Sequence, residues 1–284
     1  MKVLGIIALA TAIALASWLP APSAQADEAE VHYRQALVHK RAGRLEEALR
    51  EAQAAIRARP THASAHFTAG SLLRQMGRLE PALACFGAVT RLQPQHAPGH
   101  AMVGAVLIRL RRYEEAIAPL TRATELDPSC ASCWGNLGVA YRQLRRIEEA
   151  ITTYRAGLRR IPDNPDLLNN LAVAFNRQRR YEEAITLLQE VIARHGQDYQ
   201  MHLNLAISLR RSERCDEAIP HYRRALELHA NDEGGLYDLG VCLESEGRPD
   251  EAIRAYRQYV DVVRARDPGA AQRTEERIQS LGGR

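Results

Sequence analysis

Two cysteines three residues apart, Cys130-Ala-Ser-Cys133, are the residues best spaced for chemistry. They can close a local disulfide, stand as two free thiols, or act as a redox-active dithiol if they open a helix, whose N-terminus lowers a thiol's pKa. No strand–helix–strand pattern surrounds them, and Trp134 stands where haem attachment needs a histidine. Cys85, Cys215 and Cys242 bring the total to five, so complete pairing in an oxidising compartment leaves one thiol over. Histidines four apart, His62 with His66 and His96 with His100, are spaced to chelate a metal on one helix face. The same spacing allows His66 and His100 to pack where Trp134 sits one period later. His32 and His202 fill that position without a partner, which favours packing over metal. No phosphate loop, nucleophile elbow or convergent acid–base pair is present, so the reading is non-catalytic, with no cofactor and no metal.

These residues lie on a period. Counted in steps of 34 from Ala29, the chain divides without insertion into residues 29–62, 63–96, 97–130, 131–164, 165–198, 199–232 and 233–266. The twentieth position is always alanine: Ala48, Ala82, Ala116, Ala150, Ala184, Ala218, Ala252. The eighth is always alanine or glycine: Ala36, Gly70, Gly104, Gly138, Ala172, Ala206, Gly240. Each block reads as two amphipathic helices, the small residues letting the pair approach closely. Pro60, Pro94, Pro128 and Pro162 end the first four blocks; Gly196 and Ala230 take that place in the next two, where the junctions are expected to be looser. An arginine stands in every inter-helix turn, from Arg44 to Arg248. Acids follow two residues on, from Glu46 to Asp250, so the column is expected to be neutralised rather than to form a polyanion rail.

Trp134-x-x-Leu137-Gly138-x-x-Tyr141, the Glu-Glu-Ala-Ile runs, the small residues and the closing prolines resemble the tetratricopeptide repeat. The resemblance implies an all-α right-handed superhelix of seven helix pairs, with a concave groove lined by the first helices. It also implies a protein or peptide partner of unstated identity. The sixth positions then form a column of Arg34, Thr68, Met102, Asn136, Asn170, Asn204 and Asp238. Asparagine there resembles the ladders that hold an extended peptide, since one amide can donate to a carbonyl and accept from an N–H. Phe67 and Met102 belong to an apolar stretch of the groove; Asn169, Asn176, Arg177, Arg210 and Arg211 belong to a polar, basic one. An extended ligand with apolar and acidic segments fits both. The lysine-and-asparagine clamp of some family members is absent, since Tyr33, Leu37, Phe67 and Ser71 stand in its place. The first block departs from the pattern at His32, Gln35, His39 and Ala52, as a frayed end or a polar cap. A different class, a thiol-handling or cofactor-delivery accessory of envelope biogenesis, would centre on Cys130 and Cys133.

The ends follow other rules. Lys2, the apolar run 3–19, Pro20, Pro22 and Ala24-Gln25-Ala26 read as a signal peptide over residues 1–26, cut after Ala26. The run is also nearly long enough to be a retained membrane anchor. Either way the repeats are expected outside the cytoplasm, periplasmic or secreted. A formal charge of +4 over 284 residues is too slight to argue for nucleic acid. Asp267-Pro268 starts a helix with Ala271, Thr274, Ile278 and Leu281 at helical spacing, expected over 267–284 to cap the solenoid.

Overall fold

A computed structural model describes residues 22–196 and 198–283. The expected leader falls on residues 1–21, outside that range, apart from its last few residues, which enter the backbone of the first helix. Among the described residues there are fifteen helices and no strand, in two compact units divided after Leu92. Unit 1 holds α1 (Pro22–Arg41), α2 (Leu45–Ala58), α3 (Ala63–Gln75) and α4 (Leu79–Leu92). Unit 2 begins with α5 (Ala97–Arg109), α6 (Tyr113–Leu126), α7 (Ala131–Gln143) and α8 (Ile147–Arg160). It continues with α9 (Pro165–Arg177), α10 (Tyr181–His195), α11 (Tyr199–Arg211) and α12 (Cys215–Leu228), then α13 (Glu233–Ser245), α14 (Pro249–Val263) and α15 (Pro268–Ser280). Odd-numbered helices up to α13 are the first of each pair and even-numbered ones the second. Within each unit successive helices pack on one another, and in unit 2 α7, α9 and α11 also lie side by side.

The residue ending each block caps the next first helix. His62 Nδ1 accepts the N–H of Ala65 at 3.4 Å, and His96 Nδ1 that of Gly99 at 2.9 Å. Cys130 Sγ takes the N–H of Cys133 at 3.2 Å, and Asn164 Oδ1 that of Leu167 at 3.0 Å. Asp198 and Asp232 do the same for Gln200 and Gly235, at 2.8 and 2.5 Å. Each satisfies an N–H that the first turn cannot pair internally.

Within a pair, the small eighth residue receives the side chain of the twenty-fourth. A Cβ built on Gly138 would stand 2.2 Å from Tyr154, on Gly104 2.3 Å from Leu120, and on Gly240 2.4 Å from Tyr256. Gly70 is closed in the same way by Phe86, at 2.9 Å. The seven alanines at position twenty are fully buried.

The tight turn between the helices of each pair needs a left-handed residue at position fifteen. Gly43, Gly77 and Gly247 supply it, but Arg111, Arg145, Arg179 and Glu213 also adopt it, with φ of 61° to 64°. At the proline-lacking junctions, Gly196 (φ 82°) ends α10 one residue later than α8 ends. The junction lacking Pro at Ala230 is tied by Tyr199, whose hydroxyl donates to Asp232 at 2.5 Å. At the far end α15 buries Ala271, Thr274 and Ile278 and shows Gln272, Arg273, Glu276 and Gln279 to solvent. Its Arg277 reaches Glu244 at 2.7 Å and the Tyr237 hydroxyl at 3.2 Å, both on α13.

Candidate peptide-binding face of the first helices

In unit 1, Phe67 is half-buried on α3, its ring edge-on to Phe86 with centroids 5.4 Å apart, and Thr68 beside it is buried. In unit 2 the sixth positions Met102, Asn136, Asn170, Asn204 and Asp238 are all half-buried. Their side chains have different fates. Asn136 and Asn170 have no side-chain hydrogen bond among the described residues. Asn204 donates to the Asn169 carbonyl oxygen at 2.8 Å, tying α11 to α9. The Asp238 carboxylate is taken by Arg210 at 3.1 Å and by the Tyr222 hydroxyl, which donates to it at 3.2 Å. Burial and that carboxylate push the Tyr222 phenol well above its usual range. Asp238 and Arg210, read from sequence as separate groove contacts, thus serve each other.

A recess of about 470 Å³ opens between α9, α10 and α11. Val173, Tyr181 and Ile207 give it an apolar floor; Asn176, Asn204, Arg177, Arg179 and Arg211 line it with polar groups. Asn176 donates to Ser208 at 2.8 Å, and Ser208 donates to the Asn204 backbone carbonyl at 2.7 Å. The Asn176 carbonyl oxygen, however, is buried without a donor. Arg177, Arg179 and Arg211 have no ion-pair or hydrogen-bond partner among the described residues. Sequence reasoning reached Arg177, Asn176 and Arg211 but missed Arg179, Tyr181 and Ser208. Arg179 hides beside the regular turn arginine Arg180; its signal was the non-glycine residue at position fifteen.

The turn arginines of unit 2 are paired, though one residue further on than expected. Arg112 meets Glu115 at 2.6 Å, Arg180 meets Glu183 at 2.6 Å, Arg214 meets Glu217 at 2.6 Å and Arg248 meets Glu251 at 2.7 Å. Arg146 binds Glu149 likewise and also reaches Glu114 of the preceding block at 3.3 Å. The spacing is one helical turn, so the third residue faces the arginine and the second does not. Hydrogen bonds from arginine hold the Glu115, Glu149, Glu183, Glu217 and Glu251 carboxyls below their usual range.

The histidine pairs separate. His62 and His96 cap helices, while His66 and His100 bond the carbonyls of Pro60 and Pro94 at 2.9 and 3.1 Å. Trp134 donates its indole N–H to the Pro128 carbonyl at 3.0 Å, the same bond one period later. No group of three metal-ligating side chains gathers among the described residues. His202 instead stacks on His221 with Nδ1 atoms 3.0 Å apart, and burial holds both below the usual histidine value.

Cys130 and Cys133 are joined as the local disulfide, with Cα atoms 5.3 Å apart, not left as two free thiols; the closed bond is also the oxidised form of a redox-active dithiol. A second disulfide, which the sequence did not pair, joins Cys215 at the start of α12 to Cys242 on α13, with Cα atoms 5.0 Å apart. Both separations are ordinary. By loop entropy the short bridge stabilises by roughly 2 kcal/mol and the long one by roughly 3.5 kcal/mol. Cys85 remains a thiol, half-buried, with burial raising its pKa.

The family profile of the Cilia and flagella-associated protein 70 C-terminal domain matches residues 7–239, and a tetratricopeptide-repeat profile matches residues 235–262. No curated protein matches the chain. A tetratricopeptide repeat protein from Parabacteroides merdae superposes with a TM-score of 0.69 at 13% identity, covering 90% of this chain and 100% of that one. PilF of Pseudomonas aeruginosa gives 0.60 at 19% identity, covering 74% and 95%. YrrB, described as a TPR protein with an unusual peptide-binding site, gives 0.52 at 20% identity, covering 67% and 97%. These likenesses share the stacked helix pairs, and the profile spans most of the chain: it belongs to the tetratricopeptide-repeat proteins, in the family of the cilia and flagella-associated protein 70 C-terminal domain.

Proposed function

We propose that the chain is a non-catalytic scaffold outside the cytoplasm, and that the first helices of unit 2 hold an extended acidic segment of another protein. Tetratricopeptide-repeat proteins generally act as protein-interaction scaffolds, and YrrB has a peptide-binding site on the same fold. The observation that carries the reading is the recess. Three arginines without partners surround an asparagine whose buried carbonyl oxygen lacks a donor. An acidic peptide supplies the carboxylates that complement the arginines. Asn170 and Asn136 extend the polar line along α9 and α7. Hydrogen bonds to charged groups contribute about 1.5–3 kcal/mol each, and ordering a peptide residue costs about 1–2 kcal/mol. Four or five such contacts therefore give weak, sequence-tolerant capture. The leader residues and two disulfides support placement in an oxidising compartment.

The test is a photo-crosslinking residue at position 170, introduced in the native host, with adducts identified by mass spectrometry. The same residue at exposed position 250 serves as the control. Adducts specific to position 170, joined at acidic segments of exported proteins, are expected. Equal adducts from both positions would sink the reading. N-terminal sequencing of that preparation decides whether the leader is cut after Ala26.

A further inference from the structure

We propose that Cys130 and Cys133 form a thiol–disulfide exchange site that oxidises a pair of thiols in a polypeptide lying against α7. The inference is independent of the arginine recess. It begins with what surrounds Cys130. Every other residue at this capping position is a hydrogen-bond acceptor: His62, His96, Asn164, Asp198 and Asp232 each take an N–H of the helix they cap. Two of the five are carboxylates. A position that accepts this set also suits a thiolate, because the N–H of Cys133 already points at Cys130 Sγ from 3.2 Å and the Ser132 hydroxyl lies 3.5 Å away. Reduced Cys130 is therefore stabilised as the anion by a backbone donor and by the helix N-terminus.

Access divides the pair. Cys130 is partly exposed, whereas Cys133 is 2% exposed and packs with Ala101 and Ala123. An incoming thiolate can reach Cys130 only. Pro128 and Trp134, which flank the cysteine segment in sequence, line one side of a recess of about 640 Å³ whose other side is Ala156, Arg159 and Arg160. The Trp134 indole N–H donates to the Pro128 carbonyl at 3.0 Å, across the cysteine segment. The other disulfide lacks both features, since Cys215 and Cys242 are buried. The fold does not need the short bridge to cap α7, because five other helices are capped by the same position without one.

The exchange balances as follows. A substrate thiolate attacks Cys130 Sγ and the Cys130–Cys133 bond breaks, Cys133 leaving with the electron pair and taking a proton. The second substrate thiolate attacks its own sulfur in the mixed disulfide and expels Cys130 as the capped thiolate. The substrate loses two electrons and gains a disulfide, and the cysteine pair gains the two electrons. The accessible sulfur is thus also the better leaving group in the second step.

The full chain would be equilibrated in glutathione redox buffers, quenched with acid and alkylated, and each cysteine pair scored by peptide mass. Cys130–Cys133 should open in buffers that leave Cys215–Cys242 closed and the far-UV circular dichroism unchanged. At pH 6.5 reduced Cys130 should react with iodoacetamide about tenfold faster than glutathione does, as a thiolate of depressed pKa. A synthetic peptide carrying two cysteines should be oxidised to one disulfide per chain. Cys133→Ser, which keeps the capping sulfur, should hold the oxidised peptide as a mixed disulfide at Cys130. The proposal is overturned if the pair opens only when the chain unfolds, if Cys130 titrates as an ordinary thiol, or if the peptide stays reduced.

Discussion

Unit 2 carries two sets of arginines that differ in what they face. Arg112, Arg146, Arg180, Arg214 and Arg248 recur at one position of the repeat, and each is answered by a glutamate three residues on. Arg177, Arg179 and Arg211 gather around one recess, and no acid among the described residues answers them. The first set is tied to local helix geometry and repeats because the helix start repeats. The second arises only where α9, α10 and α11 meet. Arginine content alone would not separate them; pairing does. A charge whose partner is built into the chain belongs to the scaffold, and one left without a partner beside an orphaned acceptor is available to a ligand.

The largest consequence concerns binding. Replacing Arg177 and Arg211 together by glutamine should weaken capture of a fluorescein-labelled hexaglutamate peptide by about tenfold to a hundredfold, the worth of one or two charged hydrogen bonds. Replacing Arg112 and Arg146 in the same way should leave affinity within about twofold. Fluorescence anisotropy in low salt measures both. Equal losses from the two double variants would erase the distinction between the sets. Loss of binding from the second variant alone would invert it.

A smaller effect separates stability from binding at one residue. Arg179 holds a left-handed backbone, φ 61°, where Gly43, Gly77 and Gly247 do so freely. Left-handed geometry costs a side-chain-bearing residue about 1 kcal/mol. Arg179→Gly should therefore raise the melting temperature by roughly 2–4 °C while weakening the peptide. Arg145→Gly relieves the same geometry, φ 62°, away from the recess. It should stabilise equally and leave binding alone. Parallel thermal melts and anisotropy titrations decide whether arginine stands at position 179 for the ligand.

Much of the fold was legible because one steric requirement repeats. A small eighth residue and a buried twentieth alanine return every 34 residues, and no strand-forming alternation interrupts them. What packs over the small residue was less visible: Tyr154 on Gly138 and Leu120 on Gly104 are sixteen residues away, and only the pairing of helices brings them together. The candidate site was half legible. The sixth-position column is a matter of counting, so Asn136, Asn170 and Asn204 could be named. Whether a polar side chain in that column is free depends on neighbouring repeats. Asp238 is consumed by Arg210 and Tyr222, and Asn176 is left one donor short by its bond to Ser208. The Cys215–Cys242 bridge was hidden for the same reason. Its 27-residue separation carries no local motif and becomes a contact only when α12 docks on α13.

The smallest effect lies in the paired set and is one of sign. Each turn arginine holds its glutamate below the usual carboxylate pKa, so the pair contributes stability at pH values above the unfolded glutamate value near 4.5. As pH falls through the lower folded value, protonation removes that contribution. Because the pairs are solvent-exposed, salt screens them and each adds little. Urea midpoints measured between pH 5.5 and pH 3 should fall slightly less for Arg214→Gln than for the unchanged chain, and 1 M salt should close the gap. Arg211→Gln, which removes an arginine with no glutamate to hold, should leave the slope unchanged. If it flattens the slope as Arg214→Gln does, Arg211 has an acidic partner in solution, and the recess loses one of the charges on which its ligand depends.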